Sequence, residues 1–289
     1  MKKINIADGI VAMVGKAATY CEIYISDAIE KLELFFTNSF INEFGRTPTE
    51  YDYIQRCTCI SEFIQKYDIK NVKIIGGQNL KTTSNMFGRC INIESIDLSS
   101  FDTSNVTDMF AMFANCWKLQ KINFNNFNTS NVKNMGDMFY DCNTLETLDL
   151  SSFNTSKVMD MSEMFEKCIN LKNVDLSAFN TSNVQTMHSM FNECTNLETL
   201  DLSAFDTSNV IDMISMFAEC TNLKTLNLSN FKACSLRYAD CMFINCTNLE
   251  NIDFPNFELS DKCHTYGMTH RCISLKKINF PKSIMKRML

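Results

Sequence analysis

Cysteine recurs at a fixed interval along most of this sequence. Eight cysteines are spaced 26 residues apart, at positions 90, 116, 142, 168, 194, 220, 246 and 272. Phenylalanine recurs with the same period from Phe101 to Phe257, and a Met-Phe pair recurs from residues 86–87 to residues 242–243. A fixed period of about 20 to 29 residues is typical of proteins built from stacked repeats. The sequence therefore predicts a repeat array over residues 69–289, with about eight units of 26 residues.

Each repeat contains two different apolar patterns. In LETLDLSSF, Leu148 and Leu150 alternate with polar residues, which is the period of a strand. In TSNVKNMGDMFYDC, residues 129–142, apolar residues are spaced three and four apart, which predicts one face of a short helix. Thr129 lies at the start of this segment, before the first apolar residue, where a side-chain oxygen can cap the first turn. We expect strand, turn, short helix and turn in each repeat, with the strands forming a parallel concave sheet.

Residues 1–68 lie outside the repeat. Apolar spacing predicts a helix over residues 27–44 and a second helix that opens at Thr47–Pro48. We expect a small helical region that caps the first repeat, because the end of a repeat array otherwise exposes its core and unpaired strand groups. A separate partner-binding or effector role for these residues is the alternative.

The repeated string F-[DN]-T-S-N-V-x-x-M-x-x-M-F-x-x-C-x-x-L-x-x-L-D-L-S resembles the 26-residue repeat of the BspA-like leucine-rich repeat surface proteins. The resemblance covers about residues 69–280. It implies an α/β fold, a right-handed leucine-rich-repeat solenoid with short convex helices. It also implies a role in adhesion or protein binding, in bacteria or viruses, rather than in catalysis.

Members of that family usually carry an export signal and a surface anchor. Here Asp8 and Lys16 interrupt the apolar N-terminal run, and the C-terminal residues match no sorting signal. These features favour a cytoplasmic location, with the cell surface or a virion as the alternative that the resemblance suggests.

The cysteine ladder could consist of metal ligands, disulfides or core residues. The eight cysteines show none of the close ligand spacings of metal sites. Disulfides between successive repeats would need Cβ atoms closer than the sheet spacing allows, and each cysteine would have two equivalent neighbours. We therefore expect buried free thiols, and we expect the repeated methionines to lie in the core as well.

A polar ladder lies on the predicted concave face. The candidate binding residues are Asp97, Asp149, Ser151, Asp175, Ser177, Asp201, Ser203 and Asp253. Carboxylates on neighbouring repeats repel one another unless hydroxyls, cations or a partner's basic groups offset their charge. Two interpretations remain open: aspartate–serine hydrogen bonds that only order the turn, or a face that contacts a ligand.

Two C-terminal segments break the pattern: KACSLRYADC at residues 232–241 and SDKCHTYGMTH at residues 260–270. Their cysteines and histidines suggest a metal site, but the spacing fits no zinc pattern, and degeneration of a terminal repeat is the favoured interpretation. The residues in question are Cys234, Cys241, Cys263, His264 and His270. No metal site is predicted.

No catalytic or cofactor-binding motif occurs in the sequence. The net charge of −6 argues against nucleic acid as the main partner, and no stretch of 18 apolar residues predicts membrane insertion. We therefore expect a non-enzymatic scaffold that binds a protein partner through its concave face, without cofactor. A surface or virion adhesin is the first alternative, and an effector activity in residues 1–68 is the second.

Overall fold

The structure is a computed structural model that describes residues 2–7, 10–14, 20–25, 60–253, 257, 259–260 and 262–279. The strands are β1 (Lys2–Ala7), β2 (Ile10–Val14), β3 (Tyr20–Ile25), β4 (Asn71–Gly76), β5 (Ser95–Phe101), β6 (Lys121–Asn123), β7 (Thr199–Asp201), β8 (Thr225–Asn227), β9 (Asn251–Asp253) and β10 (Lys277–Asn279). Strands β1 to β6 form one sheet in sequence order, while β7–β8 and β9–β10 form separate parallel pairs.

The N-terminal strands correct the expectation of a helical region before the array. β1, β2 and β3 pair antiparallel, and β3 then lies parallel to β4 with Cys21 opposite Val72. Cys21, Ile23 and Ile25 are buried and alternate with more exposed residues, as a strand requires. The first strand of the array is thus covered by further strands, which satisfy the backbone groups that an edge would leave open.

A short helix lies towards the end of the second helical segment that the sequence predicts. Residues 60–66 are helical and bury Ile60, Phe63 and Ile64. The predicted helix over residues 27–44 and the start of the second one at Thr47–Pro48 lie outside the described residues. Among the residues that the structure describes, no helix is long and apolar enough to cross a bilayer.

Residues one repeat apart lie side by side throughout the array. An unbroken series of parallel bridges joins Thr82, Asp108, Asn134, Asp160, Thr186, Asp212, Tyr238 and His264. In the strand segments, Leu200 lies opposite Leu226 and Ile252 opposite Ile278, again 26 residues apart. The predicted stacking of consecutive repeats in parallel register is confirmed.

The predicted short helix in each repeat is wrong. From the bridge residue to the cysteine the backbone forms consecutive turns, with positive φ at two positions per repeat, such as Ala111 (53°) and Asn115 (61°). Phe113 N–H donates forward to Met138 O at 3.0 Å, whereas Met112 N–H donates back to Met109 O at 3.2 Å. Alternate N–H groups therefore bond to the next repeat, which no α-helix permits.

The core is a set of side-chain ladders. The rings of Phe87, Phe113, Phe139, Phe165, Phe191, Phe217 and Phe243 stack with centroids 5.4 to 5.8 Å apart and planes within 12°. The neighbouring methionines, including Met135 and Met138, have no exposed surface. The methionines of the repeat are core residues, as predicted.

The ladder cysteines are free thiols that also make a hydrogen bond. Cys142 Sγ donates to Phe113 O at 3.2 Å, and Cys168 Sγ donates to Phe139 O at 3.1 Å. The same bond recurs from Cys116 to Cys272. Burial raises the pKa of Cys168 to about 12, so the thiol keeps the proton that it donates. Cysteine here combines a small apolar volume with a donor for a carbonyl of the preceding repeat.

The repeated threonine joins consecutive repeats rather than capping a helix. Thr129 Oγ1 donates to Asn154 O at 3.0 Å and accepts from Asn154 N–H at 2.7 Å. Thr155 makes the same two bonds to Asn180, and its side chain is buried. One hydroxyl thus bonds to both polar groups of a residue in the next repeat.

From residue 146 to residue 276, glutamate and lysine alternate at the residue after the repeated leucine. The ion pairs are Lys172–Glu146 at 2.7 Å, Lys224–Glu198 at 2.9 Å and Lys276–Glu250 at 3.0 Å. Main-chain N–H groups of the same lysines donate to the same glutamates. Because the side chains are exposed, each pair contributes about 0 to 1 kcal/mol. The pairs link repeats two by two along the strand segments.

We expect Cys168→Ala to lower the free energy of unfolding by about 1 to 2 kcal/mol, because it removes a buried hydrogen bond and leaves a small cavity. Urea unfolding followed by circular dichroism measures the change. Cys234→Ala is the matched control, since this cysteine is exposed and its loss should leave the unfolding midpoint unchanged. Equal effects of the two substitutions would show that the ladder thiols do not stabilise the stack.

Candidate functional site

We call one surface of the repeats the strand face. It consists of the outward-pointing residues that align with Asp97 in successive repeats, together with the residues two positions after them in the chain. Asp97 lies in β5, Asp201 in β7 and Asp253 in β9. Asp149 and Asp175 lie in segments that form no assigned strand. Asp149, Asp175 and Asp201 are exposed, and Asp97 is half-buried. The side chain of Asp253 lies outside the described part of the structure.

The aspartates of the strand face accept hydrogen bonds from the serines two residues later. The N–H to Oδ1 distances are 3.0 Å from Ser99 to Asp97, 3.0 Å from Ser151 to Asp149, 2.9 Å from Ser177 to Asp175 and 2.9 Å from Ser203 to Asp201. The Ser151 hydroxyl also donates to Asp149, at 2.6 Å. The predicted aspartate–serine bonds are therefore present, and they fix the direction of each carboxylate.

These bonds lower the pKa values of the strand-face carboxylates. The Ser151 hydroxyl, followed by its N–H, lowers the pKa of Asp149, while the N–H groups of Ser177 and Ser203 lower the pKa values of Asp175 and Asp201. The charge of Asp149 opposes this at Asp175 as the smallest contribution. The expected repulsion between neighbouring carboxylates is outweighed by the serine donors, and the row is negatively charged at neutral pH.

Within the described residues, no ion pair involves Asp149, Asp175 or Asp201, although Asp97 pairs with Lys73 at 3.7 Å. Lys172, three residues before Asp175, is paired with Glu146 instead, and Lys157, eight residues after Asp149, donates to Asn131 Oδ1. Three oriented carboxylates are thus left for an external cation.

A shallow depression of about 390 Å³ adjoins the end of this row. It lies between β7 and β8 and is lined by Thr199, Leu200, Asp201, Thr225, Leu226 and Asn227. The threonine hydroxyls and the amide of Asn227 supply hydrogen-bonding groups beside Asp201. The strand face therefore has a depression beside its row of negatively charged side chains.

A second group of titratable residues lies in the turn segments, where the sequence predicted none. Burial, followed by the charges of Glu163, Glu166 and Asp160, raises the pKa of Asp137 to about 7. Burial and the charge of Glu163 also raise the pKa of Glu166. Asp137 and Glu163 are 26 residues apart and so share one register position, which is the sequence feature that could have revealed the group.

His188 is the basic member of this group. Its Nδ1 lies 3.8 Å from Asp212 Oδ1, and this contact with the Asp212 carboxylate raises the pKa of His188. Lys167 donates to Tyr140 Oη at 3.0 Å and lies 3.8 Å from Glu193. In the described part of the chain, no three His, Cys, Asp or Glu side chains are placed to hold a metal ion.

The C-terminal cysteines and histidines do not form one cluster. Cys234 is exposed, while Cys263 is buried and its Sγ donates to His264 O at 3.6 Å. Cys241 is partly buried, and His270 is exposed. Cys234 and His264 do share the wall of an open groove, which the sequence did not predict.

Comparison with known proteins places the repeats in a family. Residues 81–180 and 159–279 match the family described as "Mycoplasma protein of unknown function, DUF285". The chain belongs to the DUF285 family. No protein with a curated function matches the sequence.

One solved structure is similar to this DUF285 protein. It is described as "Structure of the Toll - Spatzle complex, a molecular hub in Drosophila development and innate immunity", with 13% sequence identity and a TM-score of 0.20. The match covers 96% of the DUF285 chain and 53% of the Toll–Spatzle chain, so this protein spans about half of the length of that chain.

We expect Ser151→Ala to raise the pKa of Asp149 towards the ordinary aspartate value, because the hydroxyl that stabilises the carboxylate is lost. A carboxyl-detected NMR titration of the DUF285 protein measures this pKa directly. Ser152→Ala is the matched control, because Ser152 is also exposed and no bond from it to Asp149 is found. An unchanged pKa in the Ser151 variant would mean that the hydroxyl does not order the carboxylate.

Asp137→Asn should stabilise the protein above pH 7. The folded-state pKa of about 7 lies above the ordinary value of 3.8, so the cost of ionising Asp137 is absent below that value, grows as pH rises and is complete above pH 7. We expect a gain of about 1 kcal/mol at pH 8, discounted for solvent screening, and almost none at pH 4. Urea unfolding at both pH values measures it, and a gain independent of pH would contradict the assignment.

Proposed function

We propose that this DUF285 protein is a non-enzymatic scaffold that binds a basic segment of a protein partner through the strand face. In this proposal the stacked repeats form a right-handed leucine-rich-repeat solenoid, and the strand face is its concave surface. The observation that carries the proposal is the row of exposed carboxylates at Asp149, Asp175 and Asp201, which have no ion-pair partner within the described residues.

The spacing of the row suits a protein ligand. Consecutive repeats in a parallel sheet lie about 4.8 Å apart, so the three carboxylates span about 10 Å. An extended segment with two or three lysine or arginine side chains covers this distance. The serine donors hold the carboxylates in place before binding, which lowers the entropy lost when the partner is bound.

The charge of the row predicts the character of the interaction. Exposed carboxylates attract basic groups over about 8 to 10 Å at physiological salt and accelerate association more than they prolong the complex. The depression beside Asp201 adds uncharged hydrogen-bonding groups that can discriminate between basic partners. The binding proposed here is therefore sensitive to salt and moderate in affinity.

Charge reversal of the row tests the proposal. We expect Asp149→Lys, Asp175→Lys and Asp201→Lys together to weaken binding of a fluorescein-labelled lysine–threonine peptide about tenfold or more at low salt, measured by fluorescence anisotropy. Thermal unfolding should change little, because these side chains are exposed.

A triple variant elsewhere on the surface separates position from net charge. Asp141→Lys, Glu193→Lys and Glu219→Lys also change the formal net charge from −6 to 0, by two units each. Lys167 occupies the same register position naturally, with the same positive φ, so the backbone accepts lysine there. The proposal predicts nearly normal binding by this control, and an equal loss in both variants would refute the strand face as the site.

A further inference from the structure

A groove runs from the last regular repeats into the divergent repeats. The groove has a volume of about 980 Å³ and crosses the register positions of three consecutive repeats at Asn183, Asn209 and Ser235. Its described lining includes Gln185, Cys234, Arg237, Tyr238, Lys262 and His264.

The divergent repeat lacks one side-chain link between repeats. In regular repeats the asparagine of T-S-N-V donates its amide to the preceding repeat, as Asn183 does to Ser156 O and Asn209 to Ser182 O, both at 2.7 Å. Ser235 stands at this position in the divergent repeat, and no bond from its short side chain to the preceding repeat is found. The amide ladder therefore ends at the groove.

The groove is positively charged in an otherwise acidic protein. Arg237 and Lys262 are exposed, and neither forms an ion pair within the described residues. In the part of the chain that the structure describes, the lysines that form ion pairs are Lys70, Lys73, Lys167, Lys172, Lys224 and Lys276. No carboxylate contributes to the described lining, while Glu258 and Asp261 lie outside the described residues. Against a net charge of −6, the described lining of the groove is locally positive.

The backbone holds the wall of the groove in place. Arg237 N–H donates to Ile211 O at 2.9 Å, and His264 N–H donates to Arg237 O at 2.8 Å. Tyr238 and His264 form a parallel bridge, and their rings lie 5.4 Å apart. Arg237, Tyr238 and His264 therefore lie on hydrogen-bonded backbone rather than on a free loop.

We propose that this groove binds an extended acidic segment of a protein, with its carboxylates on Arg237 and Lys262. Three repeats at about 4.8 Å span about 10 Å, which matches about three residues of extended chain. Because the side-chain N–H groups of Asn183 and Asn209 donate to the preceding repeat, their Oδ1 atoms, with the amide of Gln185, are the groups that can bond to the backbone of such a segment. A single small anion would leave most of the groove unfilled. The site has the opposite charge to the strand face and does not depend on its function.

Binding of a defined acidic peptide to the full chain tests the proposal. The probe is a fluorescein-labelled peptide of alternating serine and glutamate, measured by anisotropy at low salt. We expect Arg237→Glu with Lys262→Glu to weaken binding at least about tenfold. The control, Lys118→Glu with Lys121→Glu, changes the net charge equally, by two units per residue from −6 to −10, and should bind nearly as the native protein does. Equal weakening in both variants overturns the proposal.

Two further measurements place the peptide. Because Cys234 is exposed and lines the groove, bound peptide should slow its alkylation, as followed by mass spectrometry. Unchanged alkylation at saturating peptide would overturn the assignment. If the double reversal fails to fold, Arg237→Gln with Lys262→Gln should weaken binding severalfold, and native affinity in that variant would refute the site. Complete displacement by millimolar inorganic phosphate would show a simple anion site instead of a peptide groove.

Discussion

Backbone hydrogen bonds between consecutive repeats are the interaction on which the rest of this structure depends. Phe113 N–H bonds to Met138 O, and Phe139 N–H bonds to Met164 O in the same way, so equivalent residues are held side by side. Once this register is imposed, each side chain meets its own copy in the repeats before and after it. Three features follow from this constraint. Phenylalanine rings stack on one another, threonine hydroxyls bond to the next repeat, and cysteines donate to the preceding repeat.

The period and the core could be predicted from the sequence because both depend on spacing alone. Cys142 and Met138 recur at 26 residues, and both are buried in the structure. The predicted helix failed because apolar residues spaced three and four apart suit a run of tight turns as well as a helix. A helix and a run of turns differ in the acceptor that each N–H group bonds to. The side-chain pattern does not reveal that acceptor, and it does not reveal the positive φ at Ala111 or Asn115.

The N-terminal strands were missed for a related reason. Apolar residues on either side of Asp8–Gly9, a dipeptide typical of hairpin turns, resemble an interrupted leader as much as two strands. The strand face was predictable because Asp149 and Ser151 alternate with buried residues. The lowered pKa of Asp149 was not predictable, since it depends on whether the Ser151 hydroxyl or the neighbouring carboxylate has the larger effect. The groove lies in a segment that the sequence identified as divergent. The sequence did not show that Arg237 and Lys262 line the same groove.

The alternation of glutamate and lysine limits how an array of this kind can change in length. Duplication or loss of one 26-residue unit preserves every core ladder, because each unit fills the same place. It does not preserve the charge sequence: loss of the unit that contains Lys172 would bring Glu146 beside Glu198. Loss or gain of two units together restores the alternation. A change of one unit therefore leaves the core ladders intact, whereas the exposed ion pairs are kept only by a change of two units.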